Sequence, residues 1–313
     1  MRVLSFPCEE RRERETRYRT SPEARRSPSG FSSPRRGGKL GKRERRNRFR
    51  ERGGVKVDVS AWSPAALAEA ARFVRELAAI RAEPDLFNPW GESDLAWDRS
   101  RLAPCVRRLH FTYYLARRLG RVRWVWVGEA LGYRGARFSG VPFTSERILL
   151  GFHPEIPAEV AFGRRGVRTS RLDHPILPGR TSETTRRYGF AEVSATLVWR
   201  AVRAAGLAPE DVIFFSVVPF HPLDPKRGPM SNRPPRRREV REGLTVLSEF
   251  LTLLGRWGRG GEGGFPRVVA VGNVAHEGLE ALGISHLKVV HPAQGHGPRF
   301  LAEIRRAVLT EGR

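Results

Sequence analysis

Apolar and polar positions follow two rhythms along this chain. The first is helical. Leu67, Ala70, Ala71, Val74, Leu77 and Ala78 recur at three- and four-residue spacing, behind a Ser63-Pro64 step that caps a helix and opens it with proline. The spacing predicts a helix from Pro64 to about Ile80. The same rhythm predicts helices over 191–205 (Val193, Leu197, Val198, Ala201, Val202), 239–254 (Val240, Leu244, Leu247, Leu251, Leu254), 273–282 and 299–309. The second rhythm is the short unbroken apolar run, at 124–127, 212–218, 268–271 and 286–290. Runs of this kind, separated by helical patterns, indicate a mostly parallel sheet covered on both faces. The expected fold is therefore α/β, a three-layer α/β/α arrangement around a central, mostly parallel four-stranded sheet.

Each predicted strand runs into a polar residue: Glu129, Ser216, Asn273 and His291. Ligands of open α/β sheets bind outside the carboxyl ends of the strands, which makes these four residues candidates for a site. Between the elements, 85–100 reads as an ordered loop and 255–264 as a glycine-rich turn. The irregular stretch 151–190 is rich in Arg, Gly, Pro and Thr, and its length suggests a functional insertion or lid.

Composition divides the chain. Residues 1–54 hold almost no apolar periodicity and carry eighteen basic against seven acidic residues. A segment of that kind cannot bury enough surface to offset its ordering entropy, so it is expected to be a disordered basic tail. Two readings stand for it: a DNA-attracting arm, or a start assigned upstream of a true one near Val55. The remaining domain, 55–313, still has 39 basic against 26 acidic residues, part of a net charge of +24. The use of 52 Arg against five Lys fits a GC-rich source, but not the excess of basic over acidic residues. A basic domain favours a polyanionic partner. Two cysteines exclude a disulfide framework, a four-cysteine zinc site or a cysteine-ligated iron–sulfur cluster within one chain. A reducing, cytoplasmic setting is expected. No run approaches a membrane span, and the N-terminus lacks the apolar core of a signal peptide.

Candidate chemistry gathers at three places. In the stretch Arg123 to Ile148 a buried strand delivers Gly128-Glu129 into a loop with glycines at 132, 135 and 140, followed by Pro142-Phe143. Glu129 is either a site carboxylate or the partner of a nearby arginine. Phe143 is either core or a flat platform for a base. His291 opens a loop of small and polar residues, Pro292-Ala293-Gln294-Gly295, suited to close approach to a ligand. Its spacing to His296 matches no zinc site. The loop after the second strand holds Lys226, Arg227, Arg233, Arg236, Arg237 and Arg238 among prolines, which suits phosphate contacts or is a solvated face. No phosphate loop, GxSxG elbow or HExxH helix is present.

Together these pieces resemble the uracil-DNA glycosylase superfamily. The carriers of the resemblance are Gly128-Glu129-Ala130-Leu131-Gly132, Gly140-Val141-Pro142-Phe143, Ser216-Val217-Val218-Pro219-Phe220-His221-Pro222 with Asn232-Arg233-Pro234-Pro235, and His291-Pro292-Ala293-Gln294-Gly295. Two positions depart from the family pattern. Ser216 stands where the family places a base-reading asparagine, and Leu131 replaces a loop proline. The four cysteines of the iron–sulfur branches are missing, so the resemblance is to a cluster-free bacterial member.

The resemblance implies a monofunctional glycosylase acting in base excision repair. It would hydrolyse the N-glycosidic bond of uracil or a related deaminated base flipped out of DNA, with no cofactor or metal. Glu129 and His291 would be catalytic. Gly128, Ala130, Phe143, Ser216 and Asn273 would hold the base. Lys226, Arg227, Asn232, Arg233, Arg236, Gln294, Gly295 and His296 would contact DNA. A monomer in the bacterial cytoplasm, associated with the nucleoid, is expected. Two other readings remain: a catalytically lapsed DNA-binding protein of the same fold, and an unrelated small-molecule hydrolase on a similar sheet.

Overall fold

A computed structural model describes residues 63–257 and 264–311. The basic tail expected over 1–54 lies outside these residues, as does most of the glycine-rich turn. In chain order the elements are α1 (Pro64–Ala79), β1 (Leu86–Phe87), α2 (Ala103–Ala116), β2 (Trp124–Ala130), α3 (Ala136–Ser139), α4 (Glu146–Leu149), α5 (Ala158–Ala161) and α6 (Glu183–Tyr188). There follow α7 (Val193–Ala204), β3 (Val212–Val218), β4 (His221–Pro222), α8 (Arg237–Trp257), β5 (Arg267–Val271), α9 (Asn273–Ala281), β6 (Leu287–Val289) and α10 (Gly297–Glu311).

The main sheet has four parallel strands in the order β3-β2-β5-β6. β3 is buried along its whole length, and β2 through its first five residues. That is why their apolar runs do not alternate. Helices cover both faces. On one, Phe215 of β3 meets Phe73 of α1, Phe111 of α2 and Phe250 of α8, the last stacked at 4.1 Å between ring centres. On the other, Phe214 packs edge-on against Trp199 of α7, and Trp126 of β2 against Phe300 of α10. The three-layer α/β/α expectation holds. The register pairs Gly128 with Ser216, so the two strand ends lie side by side.

The spacing predicted α1 within a residue, and Ser63 does cap it, its hydroxyl accepting from the Ala66 N–H at 3.4 Å. It did not predict α2. Ten of that helix's fourteen residues are buried, among them Arg107, His110 and Thr112. Polar residues at core positions erase the amphipathic stripe on which such a prediction depends.

Arg107 and His110 are hydrogen-bonded, the His110 ring to the Ser139 carbonyl and the Val167 N–H. Arg107 is completely buried and grips Asp98 through both guanidinium nitrogens at 2.8 Å. It also donates to the carbonyls of Pro89, Glu92 and Arg137. The ordered loop over 85–100 is thus fastened to α2 and to α3. Trp90 adds a bond from its indole N–H to the Gly140 carbonyl.

The 151–190 stretch is not a lid over the strand ends. It is pinned to the flank by Glu146, a completely buried carboxylate that accepts from the Thr169 and Ser170 N–H groups and from the Ser170 hydroxyl. There Phe190 joins Trp97, Phe138 and Met230 in a small second core.

Asp98→Asn leaves the Arg107 cation buried without its counter-charge. Removing one partner of a buried pair costs about 3–5 kcal/mol. Urea unfolding monitored by tryptophan fluorescence should show a loss of that size; an unchanged midpoint would mean that Arg107 does not depend on the pair.

Candidate active site

At the carboxyl ends of β2, β3 and β6 lies a cavity of about 680 Å³, within the usual range for small-ligand sites. It brings together most of the residues singled out from the sequence. Glu129 and Ala130 close β2, Ser216 lies in β3, and Phe143 and His291 face the same space. Asn232, Arg233, Gln294 and Gly295 form part of its wall. Gly128 does not line the cavity but lies directly behind it. A Cβ there would come within 2.5 Å of the Phe143 Cζ, so only glycine lets the ring lie across the strand end.

Phe143 itself has φ of 48°, a left-handed conformation that non-glycine residues rarely adopt. Its ring packs edge-on against Phe214 at 5.7 Å, leaving it partly open to the cavity. Strain of this kind persists only where the surroundings enforce it, and it clusters at ligand sites.

Glu129 is half-buried, and burial alone pushes its carboxyl above the usual range. No hydrogen bond or ion pair holds it to another described residue, which removes the reading of Glu129 as an arginine's partner. His291 accepts a hydrogen bond from the Ala293 N–H at its Nδ1, 3.2 Å away. The neutral ring therefore carries its proton on Nε2, a donor for whatever sits beside it. Burial and the nearby His296 lower its pKa, which keeps the ring neutral near pH 7.

Ser216 is buried, and its hydroxyl makes no hydrogen bond to another described residue. Among the described residues, no group of three His, Cys, Asp or Glu side chains is placed to hold a metal ion.

Other residues are placed differently. Asn273 is exposed at the first position of α9 and does not reach the cavity, because β5 ends at Val271 and Gly272 turns the chain. Arg233 and Arg236 are held by Asp85 and Glu239; Arg233 meets Glu239 at 2.6 Å, and Arg236 makes its contact with Asp85. They lock the basic loop to the start of β1 rather than offering free charges. Asn232 accepts from the Tyr133 N–H at 3.1 Å, holding the loop after β2. Lys226, Arg227 and His296 are exposed outside the cavity wall. Gln294 and Gly295 both have left-handed φ, at 56° and 84°, and form an exposed tip beside His291.

A family model for the uracil DNA glycosylase superfamily matches residues 118–295, which hold β2, Phe143, Ser216 and His291. The match covers more than half of the chain. This protein belongs to the uracil DNA glycosylase superfamily. No curated protein matches the sequence. A crystal structure of wild-type SMUG2 from Pedobacter heparinus aligns with a TM-score of 0.48 at 13% identity, over 79% of this chain and 96% of that one. That alignment is too loose to bear on the site. Within the superfamily match, the cavity also contains residues to which the motifs do not point, among them Tyr133, Arg134, Ser194 and one acidic side chain. Glu192, at the start of α7, contributes a second carboxyl group to the wall. Its signal in the sequence is faint: it follows Phe190-Ala191 at the close of the irregular stretch.

Gly128→Ala drives a methyl group into the Phe143 ring. Overpacking of this kind costs about 1–3 kcal/mol. Urea titration should show that loss, and Gly128→Ala with Phe143→Leu should regain part of it. Equal losses in the single and double variants would show that the collision is not the cause.

Proposed function

We propose that this superfamily member is a monofunctional DNA glycosylase that hydrolyses the N-glycosidic bond of uracil or a related deaminated base in DNA. The observation that carries the reading is the convergence of Glu129, Phe143 and His291 on one cavity at the strand ends, within the residues matched by the superfamily model. Phe143 offers a flat face on which a flipped base stacks. Breaking the bond between C1′ and the base nitrogen sends the electron pair onto the base and leaves positive charge on the sugar. Neutral His291 donates from Nε2 to the oxygen on which the negative charge develops. Ionised Glu129 faces the cationic sugar, orients a water for attack on C1′ and takes up its proton. The products are a free base and an abasic site. No lysine lines the cavity, which supports simple hydrolysis over a Schiff-base lyase step.

The partner is DNA carrying the damaged base, met by a monomer. Lys226 and Arg227 are exposed cations of the basic loop, and the Gln294-Gly295-His296 tip stands where the duplex would be pressed open. Among the described residues no helix is long and apolar enough to cross a membrane. The cytoplasm, in association with the nucleoid, is the setting we propose. Ser216 favours a second reading, a lapsed DNA-binding protein of the same fold. A hydroxyl cannot present the paired donor and acceptor of an amide.

Oligonucleotides bearing uracil, hypoxanthine, xanthine or a thymine mismatch, incubated and then treated with alkali, separate the readings. The proposal expects strand cleavage at one or more of these bases, lowered about a hundredfold or more in Glu129→Gln and His291→Ala. Salt-dependent binding without cleavage would support the lapsed protein. Ser216→Asn creating activity in an inactive protein would support that reading further.

A further inference from the structure

Gly132 and Gly135 lie in the loop that follows Glu129; neither has a left-handed φ, although Gly135, at φ −107° and ψ −116°, sits outside the regions that ordinary side chains favour. What they lack is room. A Cβ on Gly132 would lie 2.0 Å from the Glu192 Oε1, and one on Gly135 would lie 2.3 Å from its Oε2. Two bare positions thus accommodate one carboxyl group, laid against the loop backbone at the cavity wall. That carboxyl group does not cap its own helix, although it occupies the N-cap position of α7. Among the described residues, no backbone N–H and no guanidinium hydrogen-bonds it. Its neighbours are the Ser194 hydroxyl on α7 and, at longer range, the Arg134 charge on the loop. Glu129, Tyr133, His291 and Arg233 are the other titratable groups on the cavity wall, and Arg233 is already paired with Glu239 and Asp85.

We infer that Glu192 is a specificity-determining residue whose neutral carboxyl group hydrogen-bonds the edge of the flipped base, supplying the paired donor and acceptor that Ser216 cannot. The inference rests on the glycosylase reading above. A protonated carboxyl group offers one O–H donor and one carbonyl acceptor side by side. That pair matches the adjacent N–H and C=O of a deaminated base, the lactam edge shared by uracil and hypoxanthine. An ionised carboxylate has only acceptors and repels the base carbonyl. Burial raises the Glu192 pKa to about 7, against the smaller opposing effects of Arg134 and Ser194. The neutral form is therefore well populated near neutrality, which an ordinary glutamate would not allow.

The sign separates Glu192 from the catalytic groups. Glu129 acts ionised, so its titration removes activity as pH falls. His291 acts neutral with a lowered pKa, so it too removes activity on the acid side. Glu192 acts protonated, so its ionisation removes activity as pH rises through about 7.

The test is the pH profile of single-turnover excision on the best substrate of the panel, in the wild type and in Glu192→Gln. The amide keeps the shape of the acid, stays neutral and still offers a donor and an acceptor. The wild-type rate should fall towards tenfold per pH unit above about pH 7, while Glu192→Gln should change less than about twofold between pH 6.5 and 8.5. Gly132→Ala, which displaces the carboxyl group without removing it, should weaken discrimination among the bases; circular dichroism melting checks that both variants fold. An alkaline limb unchanged in Glu192→Gln would overturn the proposal while leaving the glycosylase reading intact. Excision of no base by the wild type would overturn both.

Discussion

One buried cation organises the side of the molecule that carries the site. Arg107 is completely enclosed, and an enclosed charge persists only if it is paired and fully hydrogen-bonded. Its partners come from the loop before α2, through Asp98, Pro89 and Glu92, and from α3, through Arg137. Gly140, the next turn of chain, lies so close that a Cβ would come within 2.7 Å of Arg107. Three residues later the backbone adopts the left-handed conformation of Phe143. The strain at Phe143 is thus held from behind by a hydrogen-bonded hub. The ring is held from below by the missing side chain of Gly128.

The sheet supplies the other half of the geometry. Parallel strands buried on both faces present their carboxyl ends on one edge, and the in-register pairing sets Gly128 beside Ser216. Glu129 emerges where β2 leaves the core. It is buried enough to raise its pKa and has no cation to lower it. His291 comes from the far side, beyond β6, with its tautomer chosen by a backbone N–H two residues on. In the proposed hydrolysis, the first arrangement makes the carboxylate a stronger base and the second keeps the histidine a neutral donor.

Basic residues near the site divide into two populations. Arg233 and Arg236 sit in the most basic loop, yet their guanidiniums neutralise Asp85 and Glu239 and tie the loop to the start of β1. Lys226 and Arg227, in the same loop, remain exposed. A run of positive charge in one dimension is therefore not a measure of the charge available to a polyanion.

The sequence by itself determined the four-stranded sheet, five of the helices and the four motifs that meet at the cavity, because unbroken apolar runs and helical stripes record burial directly. The sequence also carried the motifs of the superfamily match in local segments, since each motif spans only a few residues around a strand end. Tertiary structure alone decided the rest. Helix α2 is invisible to periodicity, because its core positions are polar and satisfied by residues distant in the chain. The 151–190 stretch looked free to cover the site, but Glu146 binds it to the flank. Asn273 ends up outside the cavity because one glycine turns the chain. Glu192 becomes part of the site only because two glycines, some sixty residues away in sequence, leave room for its carboxyl group. Contacts of that separation have no periodic signature. They exist only once the sheet has brought the loops together.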